Sequence, residues 1–411
     1  MKVKFLLIAL FVCLPLWADD AQELVLSDDP QTQTVPPEAP QDEPKSGEPK
    51  ADEPQADGEG EEKKDTPTLE ELAARVEALT EALTENRNTT DVLSKMKLSG
   101  YIQAQYVSDE RSLNELNGAT ATRNFDQFSI RRGRVKFTYQ WLPTSKFVLQ
   151  PDVTTSGVTL KDGYVEFTEP WTTWKHTLTA GQFNWPFGFE IMYSSSQREV
   201  PERSRVIRTL FPGERDRGVM LSGLGLNERF SYRVAVVNGT GTSQSFDFNK
   251  RKDIVGRVGY SFGALDLGGS IYHGADLVQT STNTRGREFD KERMGVDFQY
   301  ATPLPGLGIR GEYIVGKQAP STGTSRTESQ DVRGWYFYAF QNIGTRHQVV
   351  VRADEYDPDT DIDNNAVRTI NPSYIFHWDS HSKVMLSYEF IKNQANDPDD
   401  DVFTLRYQYA F

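Results

Sequence analysis

Cysteine is nearly absent from these 411 residues: Cys13 is the single example, and it sits near the start of the chain. Such usage argues against a small secreted scaffold stapled by disulfides and suits a bacterial envelope protein. Histidine is scarce too. His176, His273, His347, His377 and His381 are scattered, and no Ser–His pairing marks a hydrolase. Long apolar runs are missing. Mean hydropathy is −0.58, and no stretch reaches the roughly 18 to 20 apolar residues of a membrane helix. That leaves strand spanning open, because barrel strands alternate and average out to polar. What the chain has in quantity is Phe, Tyr and Trp, at 11%.

Residues 1–18 read as a secretory signal, with Lys2 and Lys4 ahead of the apolar "FLLIALFVCLPLW" and a cleavage point at Ala18. A lipoprotein signal would want a small residue before Cys13, and Val12 stands there. Residues 19–67 read as a disordered acidic spacer rich in Pro and Glu, with nothing to bury. The acidic balance belongs largely to this end, since residues 98–411 hold 37 of the 59 acids and 35 of the 45 bases. Residues 68–96 read as a helix. Leu69, Leu72, Val76, Leu79, Leu83, Asn86, Thr90 and Leu93 alternate spacings of three and four, a heptad seam. The seam fits a coiled coil between copies of the chain, or a lone amphipathic helix packed on the domain.

From Leu98 the period becomes two. Strands are predicted near 98–107, 126–141, 146–153, 158–168, 176–185, 216–223, 229–238 and 252–262, then near 265–274, 291–301, 307–317, 332–342, 347–356, 366–378, 383–393 and 401–411. Connections after even-numbered strands are mostly brief, and those after odd-numbered strands mostly long, as at 108–125, 186–215, 239–251 and 275–290. An even strand count with short turns on one rim and long loops on the other is the plan of an outer-membrane barrel. The predicted fold is therefore all-β, a 16-stranded antiparallel transmembrane barrel over 98–411.

In "FSIRRGRVKFTYQW" (128–141), Val135, Phe137, Tyr139 and Trp141 share one face and Arg132, Arg134 and Lys136 the other. Lipid would meet the first face and a water-filled lumen the second. Phe128 and Ile130 have the arginines' parity, which either a bulge or a place near the barrel mouth would explain. Arg233, Arg257, Arg293, Arg310, Arg352 and Arg406 take the lumen parity of their strands, as do Asp162, Glu166, Asp297, Glu312, Asp354 and Glu389. Wall-to-wall ion pairs are one reading of that set. The longest loop adds Arg198, Arg203, Arg205, Arg208, Arg215 and Arg217, and a ring of cations at a constriction selects anions. The last strand, "DVFTLRYQYAF", ends on the aromatic Phe411, an outer-membrane assembly signal.

The stretches "SIRRGRVKF", "LTAGQFNWPFGFE", "VPERSRV", "FPGERDRGVMLSG", "VAVVNGTG", "KDIVGRVGY" and "LRYQYAF" occur in the order seen in bacterial phosphate-selective porins O and P, which residues 98–411 resemble. The resemblance implies a trimeric barrel that conducts small inorganic anions, with some members preferring phosphate. It implies membrane lipids and the outer-membrane assembly machinery as partners, with no cofactor and no nucleic acid. The amino-terminal arm would then lie in the periplasm, within reach of peptidoglycan. An alternative makes the barrel chiefly structural, tying outer membrane to cell wall through that arm. "HWDSH" (377–381) reads as an interfacial turn, and "DPDTDIDNN" (357–365) as an acidic exterior loop lacking the Gly and distal Glu of an EF-hand. If the heptads associate, a peptide of residues 68–94 will gain helicity with concentration in circular dichroism; a concentration-independent, unfolded peptide would remove the coiled-coil reading.

Overall fold

A computed structural model describes residues 68–109, 126–242, 246–247, 249–280, 283–320, 328–395 and 400–411. The predicted signal and spacer lie outside the described residues. The chain divides at Asp91/Val92 into two units. The described part of the first, residues 68–91, holds most of α1 (Leu69–Ser94). Thr68 caps it: its hydroxyl accepts from the Glu71 amide at 3.3 Å while the Glu71 carboxylate accepts from the Thr68 amide at 3.0 Å. This reciprocal pair satisfies two donors that a helix start leaves over. The seam residues Leu69, Leu72, Val76, Leu79, Leu83 and Leu93 stand exposed in the single chain. The helix stops short of its predicted end at Met96. Met96 instead opens the first strand opposite Tyr139, and the Lys95 carbonyl already accepts from the Gln140 amide.

The second unit is a closed antiparallel barrel of sixteen strands, each bonded to its sequence neighbours. Its first half runs β1 (Met96–Asp109), β2 (Gln127–Leu142), β3 (Ser145–Thr154), β4 (Gly157–Thr168), β5 (Thr177–Asn184), β6 (Arg215–Gly225), β7 (Phe230–Val237) and β8 (Asp253–Ser261). The second half runs β9 (Leu265–Thr280), β10 (Asn283–Ala301), β11 (Leu307–Gln318), β12 (Gln330–Ile343), β13 (His347–Asp357), β14 (Val367–His377), β15 (Ser382–Asn393) and β16 (Val402–Ala410). All sixteen predicted strands are present.

The connection expected over 275–290 is different. β9 and β10 continue in register through it, with Ala275 opposite Asp290 and Val278 opposite Arg287. Lys291 of β10 bonds Asp276 at 2.9 Å, and Phe289 is buried, so the segment has cross-strand partners that a loop would forgo.

Alternation sets which side chains face out. On β2, Phe137 and Trp141 are exposed while Arg132 and Arg134 are buried. The parity conflict at the start of β2 is resolved by a bulge. Gln103 of β1 stands opposite Arg132 and Ala104 opposite Ile130, leaving Arg131 without an opposite residue. One extra residue flips everything before it to the other face. Phe128 is accordingly exposed beside Tyr106, with ring centroids 5.0 Å apart. At the short-turn rim, Trp141, Phe167, Phe262, Trp378 and Phe411 stand exposed as an aromatic belt of the kind that sits at a lipid headgroup boundary.

β1 and β16 close the sheet. Beyond their ladder, the Gly100 amide donates to the Phe411 carbonyl and the Phe411 amide to the Gly100 carbonyl, both at 2.9 Å. The Phe411 ring lies where a β-carbon on Gly100 would go. Deleting Phe411 removes both closing bonds and the ring, so the yield of folded protein in the outer membrane is expected to drop more than the conductance of what does assemble. A normal yield of the truncated chain would dismiss Phe411 as an assembly element.

Candidate functional site

The 30 residues between β5 and β6 do not extend outward; they turn into the barrel. Trp185, Phe187, Ile191, Val200, Val206, Ile207, Leu210 and Phe211 from this inner loop are buried against Tyr272, Ile314, Val332, Tyr336, Tyr338, Val350, Tyr356, Ile375 and Met385. The latter come from β9 and β11 to β15, so that half of the wall is apolar on the inside as well as the outside. Within the loop, α2 (Arg205–Leu210) lies against β12 and β13. Burying each such side chain is worth about 1.5 to 3 kcal/mol, whereas the attraction within a buried ion pair is largely offset by the cost of desolvating its two charges. Apolar packing therefore decides which wall the loop lies on. The close approach at its start needs Gly188 (φ 57°), where a β-carbon would run into the Glu312 carboxylate.

Ion pairs then set the loop's position along that wall. The Glu202 carboxylate meets three guanidinium groups: Arg131 at 2.9 Å, Arg132 at 2.9 Å and Arg406 at 2.7 Å. The carbonyls around it are taken as well. Arg352 donates to Glu202 O at 2.6 Å, Arg406 to Pro201 O at 2.5 Å and Lys383 to Arg198 O at 3.2 Å. Arg203 staples the loop to itself, donating to the carbonyls of Glu190, Ile191 and Tyr193 and pairing with Glu214. Arg215 bonds Asp162 at 2.6 Å and Glu214 at 3.2 Å. Arg134 bonds Asp152 at 2.9 Å and the Ser195 hydroxyl at 2.9 Å.

The nine cations singled out in the sequence thus have different surroundings. Arg132, Arg134, Arg203 and Arg215 are buried in pairs; Arg198 is buried with no acceptor on any of its three nitrogens among the described residues. Arg205 and Arg217 are half-buried, and Arg217 donates to the Gly241 carbonyl at 3.1 Å. Arg208 is exposed on α2, 3.8 Å from Glu389. Elsewhere on the wall, Arg257 pairs with Asp297 at 2.6 Å and Arg352 with Asp354 at 3.0 Å, as the wall-to-wall reading expects.

Between the inner loop and the β1–β7 wall lies a cavity of about 600 Å³. Tyr193 to Ser196 bound it on the loop side, and Arg134, Arg203 and Arg215 line it with their charges already paired. Lys136 and Arg233 also line it, and no described carboxylate lies within ion-pair reach of either. Sequence parity put Arg233 on the lumen side, one among six such wall arginines. Nothing in its spacing separated it from Arg257, because the difference is whether a neighbouring strand supplies an acid.

The loop carboxylates titrate accordingly. Burial pushes Glu202 up, but Arg132, Arg131 and Arg406 outweigh it and hold the group well below the usual carboxylate range. Glu214 is likewise raised by burial and brought down to about 2 by Arg203, Arg215 and Arg198. A carboxylate depressed in the folded state stabilises it fully above the unfolded value, near 4.5, and loses that contribution as pH falls to the folded value. The heat-unfolding midpoint of the detergent-solubilised barrel is therefore expected to hold above pH 4.5 and decline toward about pH 2. Glu214→Gln should make the decline shallower; parallel curves would show that Glu214 does not anchor the loop.

Residues 97–290 match the sequence profile of a family described as phosphate-selective porin O and P. No curated protein matches the chain. Among solved structures, an anion-selective porin from Comamonas acidovorans shares 14% identity with a TM-score of 0.55, covering 77% of this chain and 99% of its own. The outer membrane channel DcaP of Acinetobacter baumannii (10% identity, TM-score 0.56) and Salmonella typhi OmpF in complex with daunomycin (10%, 0.56) each cover 77% of this chain and 97% of their own. At such identities the likeness is one of fold, and it matches the closed barrel described above. Over residues 97–290, from β1 into β10 with the inner loop between, the chain is therefore similar to the phosphate-selective porin O and P family.

Proposed function

We propose that this outer-membrane porin is a passive channel for small anions, phosphate among them, with the inner loop narrowing the lumen. The observation that carries the reading is the pair Lys136 and Arg233, two cations on the cavity wall with no described carboxylate in ion-pair contact, Asp162 and Glu166 of the same wall pairing with Arg215 and Lys146. An anion entering a narrow pore loses hydration, and fixed cations offset that loss. A guanidinium fork also suits a tetrahedral oxyanion. Arg205 and Arg208, half-buried and exposed on α2, would add positive potential on the loop surface. The family description and the anion-selective porin of like fold point the same way. The arginines of the loop interior then serve the architecture instead, with Arg203 and Arg215 holding the constriction in shape.

In this reading the barrels associate as homotrimers. The termini at the short-turn rim bring three copies of α1 together in the periplasm at high local concentration, with the acidic spacer reaching toward peptidoglycan. The arm takes no part in permeation.

Two unit charges 4 Å apart interact by about 1 to 4 kcal/mol between bulk water and a protein surface, and a tenfold change needs about 1.4. Reversing one wall charge, Lys136→Glu or Arg233→Glu, is therefore expected to lower the anion-to-cation permeability ratio about tenfold. Reversal potentials in chloride and phosphate gradients measure it. A ratio unchanged in both variants would place the selectivity elsewhere, and a cation preference in the unmodified protein would overturn the anion reading.

A further inference from the structure

Where the inner loop crosses β15, β16, β1 and β2, three guanidinium groups share the Glu202 carboxylate, and two further cations, Lys383 and Arg198, stand in the same band. Lys383 stands opposite Gln408 and Arg406 opposite Met385, so Lys383 and Arg406 are diagonal neighbours on the lumen face. Gln103 joins the band across the closure, opposite Gln408 on one side and Arg132 on the other. Arg131 follows at the bulge. The loop lies on this band: Gln103 donates to Ser195 O at 3.0 Å, Gln408 to Ser196 O at 2.9 Å and Lys383 to Arg198 O at 3.2 Å. Arg198 is thereby brought under the loop, 2% exposed, with Nε and both Nη atoms lacking acceptors among the described residues.

Charge does not balance here. Arg131, Arg132 and Arg406 all share Glu202, and no described carboxylate is within ion-pair reach of Lys383 or Arg198. The loop's other acids are engaged elsewhere: Glu190 accepts from Ser204, Glu199 pairs with Arg310 at 2.8 Å, and Glu214 with Arg203 and Arg215. Arg132, Arg198 and Arg406 are all buried. A buried charge without a counter-charge costs several kcal/mol. Lysine can relieve such a cost by shedding its proton; arginine cannot. What remains for Arg198 is an anion from outside the chain.

We infer that Arg198 binds a small inorganic anion as a structural counter-ion that fastens the inner loop to the β15–β2 wall. A halide seated in the guanidinium fork and an oxyanion bridging Nε and Nη satisfy the same donors. The counter-ion answers a buried charge that exists whichever ions the channel passes, so this inference does not depend on the permeation reading. Being covered by the loop, the ion is retained and not conducted.

Full-length protein in detergent tests this without a membrane. Crystals soaked in bromide are expected to show anomalous density within about 3.5 Å of the Arg198 guanidinium. At fixed ionic strength, replacing gluconate with bromide or phosphate should raise the heat-unfolding midpoint to a plateau, since a ligand of the folded state stabilises it by mass action. Saturation by bromide alone identifies a halide-sized site, and saturation by phosphate an oxyanion site. Arg198→Met should abolish the plateau, while Arg198→Lys keeps it with affinity about tenfold weaker. If Arg198→Met does not fold, Lys383→Met reports instead, with a similar loss of affinity. No bromide density at Arg198 and a midpoint that follows ionic strength irrespective of the anion would overturn the inference, as would an affinity untouched by Lys383→Met.

Discussion

Glu202 is the carboxylate around which the lumen is organised. It comes from the loop, while Arg131 and Arg132 come from β2 and Arg406 from β16, so one side chain ties the loop to both sides of the β1–β16 closure. Breaking such a buried arrangement from one side leaves uncompensated charge and costs about 3 to 5 kcal/mol. Three arginines on one acid also leave positive charge over.

The lumen has two unlike halves. From β9 to β15 its inner face carries Tyr272, Ile314, Val332, Tyr336, Tyr338, Val350 and Met385, and the loop's apolar side chains cover them. From β1 to β7 it carries charge and open space. A loop with eight buried apolar residues packs on the first half, which leaves the cavity on the second. In the proposed channel, constriction and selectivity would both follow from this one packing choice. The apolar half holds the loop, and Lys136 and Arg233 line the cavity on the polar half.

Much of the frame was legible in the chain. Period-two alternation over sixteen segments, with an aromatic parity against a charged one, reports a sheet with lipid on one side and water on the other. That signal is local, and neighbouring strands can only confirm it. β12 carried a further hint: Val332, Tyr336 and Tyr338 are apolar on the parity opposite Trp335 and Phe337, as expected of a strand covered on both faces. The heptads likewise announced α1.

The partners of the charges were not legible. Arg132, Arg198, Arg203 and Arg215 look alike in sequence, yet one meets Glu202, one meets no described acceptor, and two share Glu214. Arg132 finds its acid 70 positions away and Arg215 a second one 53 positions away, brought near by strand register and by the inward turn of the loop. The bulge at Arg131 shows the limit most plainly, because one extra residue in β2 reverses which side chains see lipid, and only its pairing with β1 reveals it. Sequence by itself determined a barrel, its strand count and its two faces, since these follow from alternation along each strand. Which arginines face the cavity and which are consumed by carboxylates was decided by tertiary structure alone, because an ion pair is a property of two segments and not of one.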